Sequence, residues 1–217
     1  MDKVGTKALR LAPCAPADAN EGAEQRATPR FTLLIRAAKL VSDAGEFVCV
    51  IRDVSRSGVS VRLFHTPTAC ERVALHMPGG AIYDLQKVWQ DDGEAGFAFG
   101  QPVDVAQLIS ESGDYPKRGL RLKLSFPVTL VTSGHRHRAV VENMSQQGAR
   151  IACEGLLAID QAVRLELPGV GPEKHEVRAK VRWRGEREYG VVFDDTFSLG
   201  SFALLAARLQ APELLQG

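Results

Sequence analysis

The chain has 217 residues, 45% of them hydrophobic and 24% charged, and a formal net charge of +1. This balance is typical of a globular protein and argues against a generally basic nucleic-acid binder or an acidic tail. The length allows one or two domains, and two domains of roughly 90 residues could each bury a working core.

The N-terminal residues 1–24 are rich in Ala, Asp, Glu and Pro, which predicts a disordered arm. They lack the apolar run of about 7–15 residues that a signal peptide needs, and no segment approaches the roughly 18–20 apolar residues of a membrane span. The four scattered cysteines, Cys14, Cys49, Cys70 and Cys153, contain no CxxC pair. This pattern argues against a zinc site or a disulfide framework. We therefore expect a cytoplasmic protein without membrane insertion.

The first patterned region, residues 25–112, contains short runs that alternate or are rich in β-branched residues. These runs predict strands over 31–40, 46–52, 59–64 and 95–99, followed by a helix over 103–110. The Gly-, Ser- and Pro-containing stretch that follows predicts a linker, which we place at 113–116.

The second patterned region, residues 117–210, has the same character and precedes a short tail, 211–217. Its predicted strands cover 128–132, 137–142, 149–153, 162–167, 176–184 and 189–193. A helix is predicted over 196–210, with Ser198 or Ser201 as its cap and an apolar stripe at Phe202, Leu205, Ala206 and Leu209. This stripe could pack on the domain core or dock on a partner.

The two regions repeat each other at a nearly constant offset. Arg30 and Arg121 are 91 positions apart, Asp53 and Asn143 are 90 apart, and Trp89 and Trp183 are 94 apart. The pairs Ser55/Ser145 and Gly58/Gly148 also differ by 90, and Gly96/Gly190 by 94. A period this long indicates two tandem domains, and short strands separated by turn residues favour a small antiparallel barrel in each.

Two elements of the first copy are candidates for binding. Arg26 and Arg30 lie four positions apart around Pro29, which disfavours a helix here. Asp53, Ser55 and Gly58 then form D-x-S-x-x-G between two predicted strands. Taken alone, the arginines could be a solvated basic patch and the second element a turn. Their joint presence favours a ligand site.

RxxxR followed by D/N-x-S-x-x-G resembles the signature of PilZ domains, over about 26–112 and more loosely over 117–209. Trp89 and the strand Gly96-Phe97-Ala98-Phe99 also look like the closing strands of that family. The resemblance implies mainly β structure, with two tandem six-stranded antiparallel barrels that are each followed by a short C-terminal helix. It also implies that the ligand is cyclic di-GMP.

The chemistry of the residues agrees with that implication. A guanidinium can bond guanine O6 and N7, stack on the base or clamp a phosphate, which suits Arg26 and Arg30. A carboxylate only accepts hydrogen bonds, which suits the guanine N1–H and N2–H donors and assigns them to Asp53. Ser55 would add a hydroxyl contact, and Gly58 would let the base lie against the backbone.

The second copy departs from the pattern. Lys117 replaces the first arginine, with Arg118 next to it, while Arg121 matches the second. Lys cannot form the planar fork of Arg, and Asn143 offers one uncharged acceptor. Ser145 and Gly148 complete the second element. This copy could bind the ligand at a second site or serve as a scaffold or partner-binding copy that has lost it.

Other functions have weaker support. His135 and His137 could share a strand face, but no third metal ligand is evident, so we expect neither a metal site nor a catalytic one. Residues 117–208 carry 15 basic and 10 acidic residues against 9 and 10 in 26–113, which is compatible with anion binding or a solvated basic face. A nucleic-acid-binding barrel is a third possibility, but aromatic residues make up only 6% of the chain, sparse for rows that stack on bases.

We therefore expect a non-enzymatic bacterial receptor without a cofactor, which binds cyclic di-GMP and changes conformation to regulate a protein partner in motility, surface polysaccharide production or a similar process. We expect no DNA or RNA partner. The alternative is a protein-interaction module of the same fold that binds no nucleotide.

Overall fold

A computed structural model describes residues 31–66, 70–110, 119–167 and 175–215. Within these ranges the chain forms two closed antiparallel barrels of six strands, each followed by a helix. This confirms the predicted fold class.

Barrel 1 is built from six strands and a short helix. They are β1 (Phe31–Ser42), β2 (Gly45–Val54), β3 (Gly58–Leu63), β4 (Arg72–His76), β5 (Ile82–Asp91), β6 (Glu94–Phe99) and α1 (Val105–Ser110). The strand order is β1-β2-β3-β6-β5-β4, and β4 pairs back with β1 to close the barrel.

Barrel 2 repeats this plan. Its elements are β7 (Arg121–Thr132), β8 (His135–Ser145), β9 (Gly148–Cys153), β10 (Ala162–Leu167), β11 (His175–Arg184), β12 (Glu188–Phe193), α2 (Leu199–Gln210) and a 3₁₀ helix (Pro212–Leu215). The strand order is β7-β8-β9-β12-β11-β10, which is the order of barrel 1 with each strand number raised by six. The strand plan therefore repeats with the same period as the sequence.

The strands follow the period-two rule of a sheet with one buried face. Leu122, Leu124, Phe126, Val128 and Leu130 on β7 are buried at every second position, and the residues between them are more exposed. The predicted runs of barrel 1 include neither β4 nor β5, although the resemblance places Trp89 of β5 in a closing strand. Most side chains of β5 are exposed, so it carries little hydrophobic signal.

Both helices begin later than the apolar pattern suggests because polar side chains cap them. The Ser198 hydroxyl accepts a hydrogen bond from the Ser201 N–H at 3.1 Å, so α2 begins at Leu199. The Asp104 carboxylate accepts one from the Ala106 N–H at 2.9 Å, just before α1. Of the two predicted caps for α2, Ser198 is the one used.

The C-terminal helix joins the two barrels. Phe202, Leu205 and Ala206 are buried in the core of barrel 2, as packing of the apolar stripe predicts. Ala207 and Ala211 pack instead on Phe47 of barrel 1. Residues 212–215, which the sequence analysis assigned to a tail, form the 3₁₀ helix, and the Leu214 carbonyl accepts a hydrogen bond from the Thr66 N–H at 3.0 Å.

The predicted arm, 1–24, and the predicted linker, 113–116, lie outside the described residues, so the domain boundaries stay predictions. Among the described residues, no helix combines the length and apolar character required for a membrane span.

Candidate functional site

The D-x-S-x-x-G element forms the tight connection between β2 and β3. The Ser55 N–H donates to the Gly58 carbonyl at 2.8 Å, and the Gly58 N–H donates to the Ser55 hydroxyl at 3.1 Å. The buried Ser55 side chain therefore holds the turn closed from inside. Its hydroxyl has a structural role whatever it contributes to a ligand.

Gly58 is required by a close approach of two strands. A Cβ at this position would lie 2.7 Å from the Phe97 carbonyl oxygen on β6. Its φ angle is not in the positive region, so a left-handed turn does not explain the glycine. Gly148 repeats the arrangement against the Val191 carbonyl of β12.

Asp53 lies at a β-bulge near the end of β2, five positions before Gly58. It is opposite Thr32 on β1 and Ser60 on β3, and the register of β2 with β3 shifts between Ile51 and Asp53. The Ser60 hydroxyl donates to Asp53 Oδ2 at 3.2 Å. A bulge commonly redirects a side chain, and here the half-buried carboxylate lines an open cavity.

This cavity has a volume of about 280 Å³, close to the lower end for ligand pockets. Asp53, Ser55 and Gly58 form one side, while Trp89 and Ala98 from β5 and β6 belong to the other. Three of the five residues predicted to bind ligand in the first copy are thus brought together.

Trp89 borders the cavity, whereas the sequence places it only in a closing strand of the domain. Its side chain is 42% exposed, and the indole lies over Gly96, where any Cβ would overlap the ring. Trp183 lies over Gly190 in the same way. The matched Trp and Gly offsets in the two copies were the available signal for this pairing.

Arg26 and Arg30 lie outside the described residues. The described part of β1 begins at Phe31, immediately after Arg30 in sequence, and pairs Phe31 with Val54 and Thr32 with Asp53. The chain therefore enters barrel 1 beside the D-x-S-x-x-G element.

The second copy shows the corresponding contact directly. Arg121 Nη1 donates to Asn143 Oδ1 at 2.9 Å, and Arg121 pairs with Ser145 across β7 and β8. The buried Ser145 hydroxyl donates to the Gly148 carbonyl at 3.2 Å, as in the first copy. Lys117 and Arg118 lie outside the described residues.

The remaining candidates are the paired histidines and the cysteines. His135 and His137 stack with ring centroids 6.2 Å apart, and the described residues contain no group of three or more potential metal ligands. Cys49, Cys70 and Cys153 are free thiols. Burial raises the pKa of the Cys49 thiol to about 12, so it stays protonated at neutral pH and is a poor nucleophile.

These features define a tandem-barrel protein with an acidic residue at the β1–β2–β3 junction and a motif arginine directly before β1 in the sequence. The family model described as the PilZ domain matches residues 24–112 and 116–210. The chain belongs to the PilZ family, with two tandem copies of the domain.

Comparison with solved structures finds distant similarity. The PlzA protein of Borreliella burgdorferi in complex with c-di-GMP is 12% identical, covers 87% of this chain and 96% of its own, and gives a TM-score of 0.36. The inhibitor of motility MotI (DgrA) of Bacillus subtilis is 12% identical over 83% and 99%, with a TM-score of 0.34. The MrkH–c-di-GMP complex of K. pneumonia is 10% identical over 82% and 89%, with a TM-score of 0.32. Comparison with curated proteins gives no match.

Proposed function

We propose that this chain is a cytoplasmic, non-enzymatic receptor for cyclic di-GMP, which binds at the cavity of barrel 1. The observation that carries the proposal is the register of β1, which starts directly after Arg30 and pairs beside Asp53 at the cavity. The proposed ligand contacts are Arg26, Arg30, Asp53, Ser55 and Gly58.

The charges of this set match the two kinds of group in the ligand. The Asp53 carboxylate accepts from guanine N1–H and N2–H, and the arginines take the phosphates and the O6/N7 edge. The exposed face of Trp89 offers a flat surface at the cavity, on which a purine can stack. Binding would close the arginine segment over a base that barrel 1 already holds by its other edge.

The hydrogen bond from Arg121 to Asn143 supports this arrangement through the repeat. Arg121 occupies the position of Arg30, and Asn143 that of Asp53. An arginine at the start of the first strand can therefore reach the acidic position of the motif in this fold.

We further propose that barrel 2 is a weaker second site. Arg121, Asn143, Ser145 and Gly148 preserve most of the motif, and Lys117 and Arg118 would supply the remaining cationic groups. Here the Asn143 carbonyl already accepts from Arg121, so a ligand must compete with an internal hydrogen bond and gains no charged acceptor.

Regulation would follow from a conformational change on ligand binding. Its target would be a protein partner in motility, surface polysaccharide production or a similar process, with no nucleic-acid partner. The alternative, an interaction module without nucleotide, rests on the departures of the second copy from the motif and on the apolar stripe of α2. That stripe is now accounted for by packing on the barrels, which favours the receptor.

Isothermal titration calorimetry of the full chain tests the proposal. Cyclic di-GMP should bind with micromolar or tighter affinity, and Arg30→Ala should weaken it by about 5- to 150-fold, since a bidentate contact contributes roughly 1–3 kcal/mol. Asp53→Ala should weaken it to a similar degree. Arg52→Ala, on an exposed arginine of β2, is the matched control and should leave the affinity unchanged.

Cyclic di-AMP should bind poorly, because adenine presents a donor where guanine presents O6. No heat at micromolar cyclic di-GMP, or an Arg30→Ala protein with wild-type affinity, would reject the receptor. If wild type and Arg30→Ala then both captured one defined partner without nucleotide, the interaction module would be favoured.

A further inference from the structure

The two copies treat one outer barrel face differently. On β2, five consecutive side chains from Phe47 to Ile51 are buried, including the outward-facing Val48 and Val50, which are 1% and 6% exposed. The equivalent positions on β8, 90 residues later, are Arg138, which is exposed, and Val140, which is 40% exposed. This outer face is therefore covered in barrel 1, whereas it is exposed among the described residues of barrel 2.

On barrel 1, both the C-terminal helix and barrel 2 lie against β2. Ala207 and Ala211 pack on Phe47, whose side chain is on the same face as the core residue Leu40, while the outward-facing Val48 belongs to a cluster formed by α2 and the strands of barrel 2. Gln210 fixes the helix to the backbone: its Oε1 accepts from the Glu46 N–H at 2.9 Å, and its Nε2 donates to the Glu46 carbonyl at 2.8 Å. The start of β2 in barrel 1 thus packs against an amphipathic helix.

The equivalent face of barrel 2 is an open groove of about 960 Å³. Its apolar lining includes Pro127, Val140 and Ala152, and its rim includes Arg138, Glu154 and Arg187. Arg138 stands at the position of Val48, and Glu154 at that of Phe64, which packs beside α2. We define these six residues as the β8 groove.

The β8 groove does not suit the helix that covers barrel 1. Glu46-Phe47-Val48 is replaced by Arg136-His137-Arg138, so an acidic and apolar segment has become basic. The alanine-rich face of α2 would bury Arg138 without a charge partner, which is strongly unfavourable. Moreover, each chain carries one α2, and its own barrel 1 already uses it, so a second copy could fill the groove only by vacating that face.

The charges of the groove indicate what it accepts. Arg136 pairs with Glu166, and Arg187 lies 3.8 Å from Glu154. Arg138 is exposed and has no ion pair within the described parts of the chain, so its guanidinium is available to a carboxylate of a partner. The two glutamates and the apolar floor disfavour a polyanion such as nucleic acid.

We propose that the β8 groove is the docking site for an acidic amphipathic helix of a partner protein, with its apolar face on Val140 and a carboxylate on Arg138. The proposal is independent of cyclic di-GMP binding, since it uses an outer face of barrel 2 that shares no residue with the motif. Helix-in-groove recognition of this kind relies on a few apolar anchors, with charge setting specificity.

The probe is a fluorescein-labelled peptide with the sequence of residues 199–215, together with versions in which Ala203, Ala207 or Ala211 is replaced by Glu or by Lys. Fluorescence anisotropy against the full chain should show saturable binding of at least one Glu peptide, at least tenfold tighter than the parent peptide. Val140→Arg should reduce that affinity at least tenfold. Val192→Arg, which alters an exposed valine on β12 outside the groove, is the matched control and should leave it unchanged.

The charge swap Arg138→Glu separates recognition from a folding defect, because it should reverse the preference from Glu to Lys peptides without loss of the near-UV circular dichroism spectrum. Absence of saturable binding below about 1 mM peptide, a very weak affinity, would overturn the proposal. Binding whose affinity is unchanged by Val140→Arg and by Arg138→Glu would also overturn it. Concentration-dependent dimers abolished by Val140→Arg would assign the groove to a second copy. Salt-sensitive duplex DNA binding lost in Arg138→Glu, without peptide binding, would assign it to nucleic acid.

Discussion

The side-chain amide of Gln210, at the end of α2, pairs with both backbone polar groups of Glu46 at the start of β2. The Gln210 side chain of barrel 2 thus satisfies both the N–H and the carbonyl of Glu46 in barrel 1, as a neighbouring strand would. Glu46 extends the link, because its carboxylate accepts from Lys39 Nζ and from the Lys123 N–H, each at 2.8 Å. The orientation of the barrels therefore depends on directional bonds as well as on apolar packing.

Gln210→Ala should lower the free energy of unfolding by about 1–3 kcal/mol, since two hydrogen bonds of ordinary strength are lost and the Glu46 groups lose their partner. Urea denaturation followed by far-UV circular dichroism measures this. Gln86→Ala, on an exposed residue of β5, is the matched control and should change stability by less than about 0.5 kcal/mol. Equal stability of both variants and wild type would show that packing alone holds the barrels together.

Gly96→Ala should displace Trp89, because a Cβ at Gly96 would overlap the indole ring. Overpacking of this kind typically costs about 1–3 kcal/mol, and the displaced ring would no longer border the cavity. The expected readouts are a shifted tryptophan emission maximum and weaker cyclic di-GMP binding. Gly119→Ala is the control, since a Cβ there meets nothing within 4 Å. An unchanged emission spectrum in Gly96→Ala would contradict the stacked geometry.

We expect the protein to be less stable at acid pH, and the residue responsible is His65. Its ring packs on Phe47 with centroids 4.7 Å apart, and its Nε2 finds no hydrogen-bond partner among the described residues. Burial lowers the pKa of His65 below its ordinary 6.5, despite an opposing hydrogen bond to the Thr66 carbonyl. The unfolded chain therefore binds a proton at higher pH than the folded chain does, and stability falls as the pH drops below about 6.5.

Urea midpoints between pH 7.5 and pH 5.5 test this effect. Wild type should lose stability across that range, and His65→Gln should show a smaller loss. A residual slope is expected from His76, whose pKa is lowered by burial and then by the nearby Lys39. A His65→Gln slope identical to that of wild type would rule His65 out as its source.

The fold and half of the site were readable from the sequence for identifiable reasons. Short runs rich in β-branched residues and matched motifs 90 residues apart predict two similar barrels, because these signals are local and occur in both copies. The first half of β7, before the predicted strand 128–132, was not predicted. The connection held by Ser55 was likewise predicted, since a turn closed by a serine hydroxyl needs only neighbouring residues. Strand β5 gave little signal because its exposed side chains lack alternation.

What could not be predicted depends on contacts between distant segments. Ser60 reaches Asp53 only because β2 and β3 pair through a bulge, and Trp89 reaches the cavity only because β5 lies across β6. The second use of α2, its cover over β2, requires knowledge of how one barrel approaches the other. An apolar stripe in the sequence indicates that the helix is buried, but it does not show that the helix packs on both barrels.

Restoring the motif of barrel 2 should create a strong second ligand site. In the double variant Lys117→Arg/Asn143→Asp, the first change supplies the planar fork that lysine lacks, and the second supplies a charged acceptor for the guanine N1–H and N2–H. Charge-assisted hydrogen bonds contribute roughly 1.5–3 kcal/mol, so affinity at barrel 2 should rise at least tenfold. In calorimetry at ligand concentrations that saturate only barrel 1 of wild type, the stoichiometry should rise by one ligand per chain. Lys180→Arg, on an exposed lysine of β11 outside the motif, is the matched control. If stoichiometry and affinity stay at wild-type values in the double variant, the difference between the copies does not lie in these two side chains, and the assignment of Arg121 and Asn143 to a ligand site fails with it.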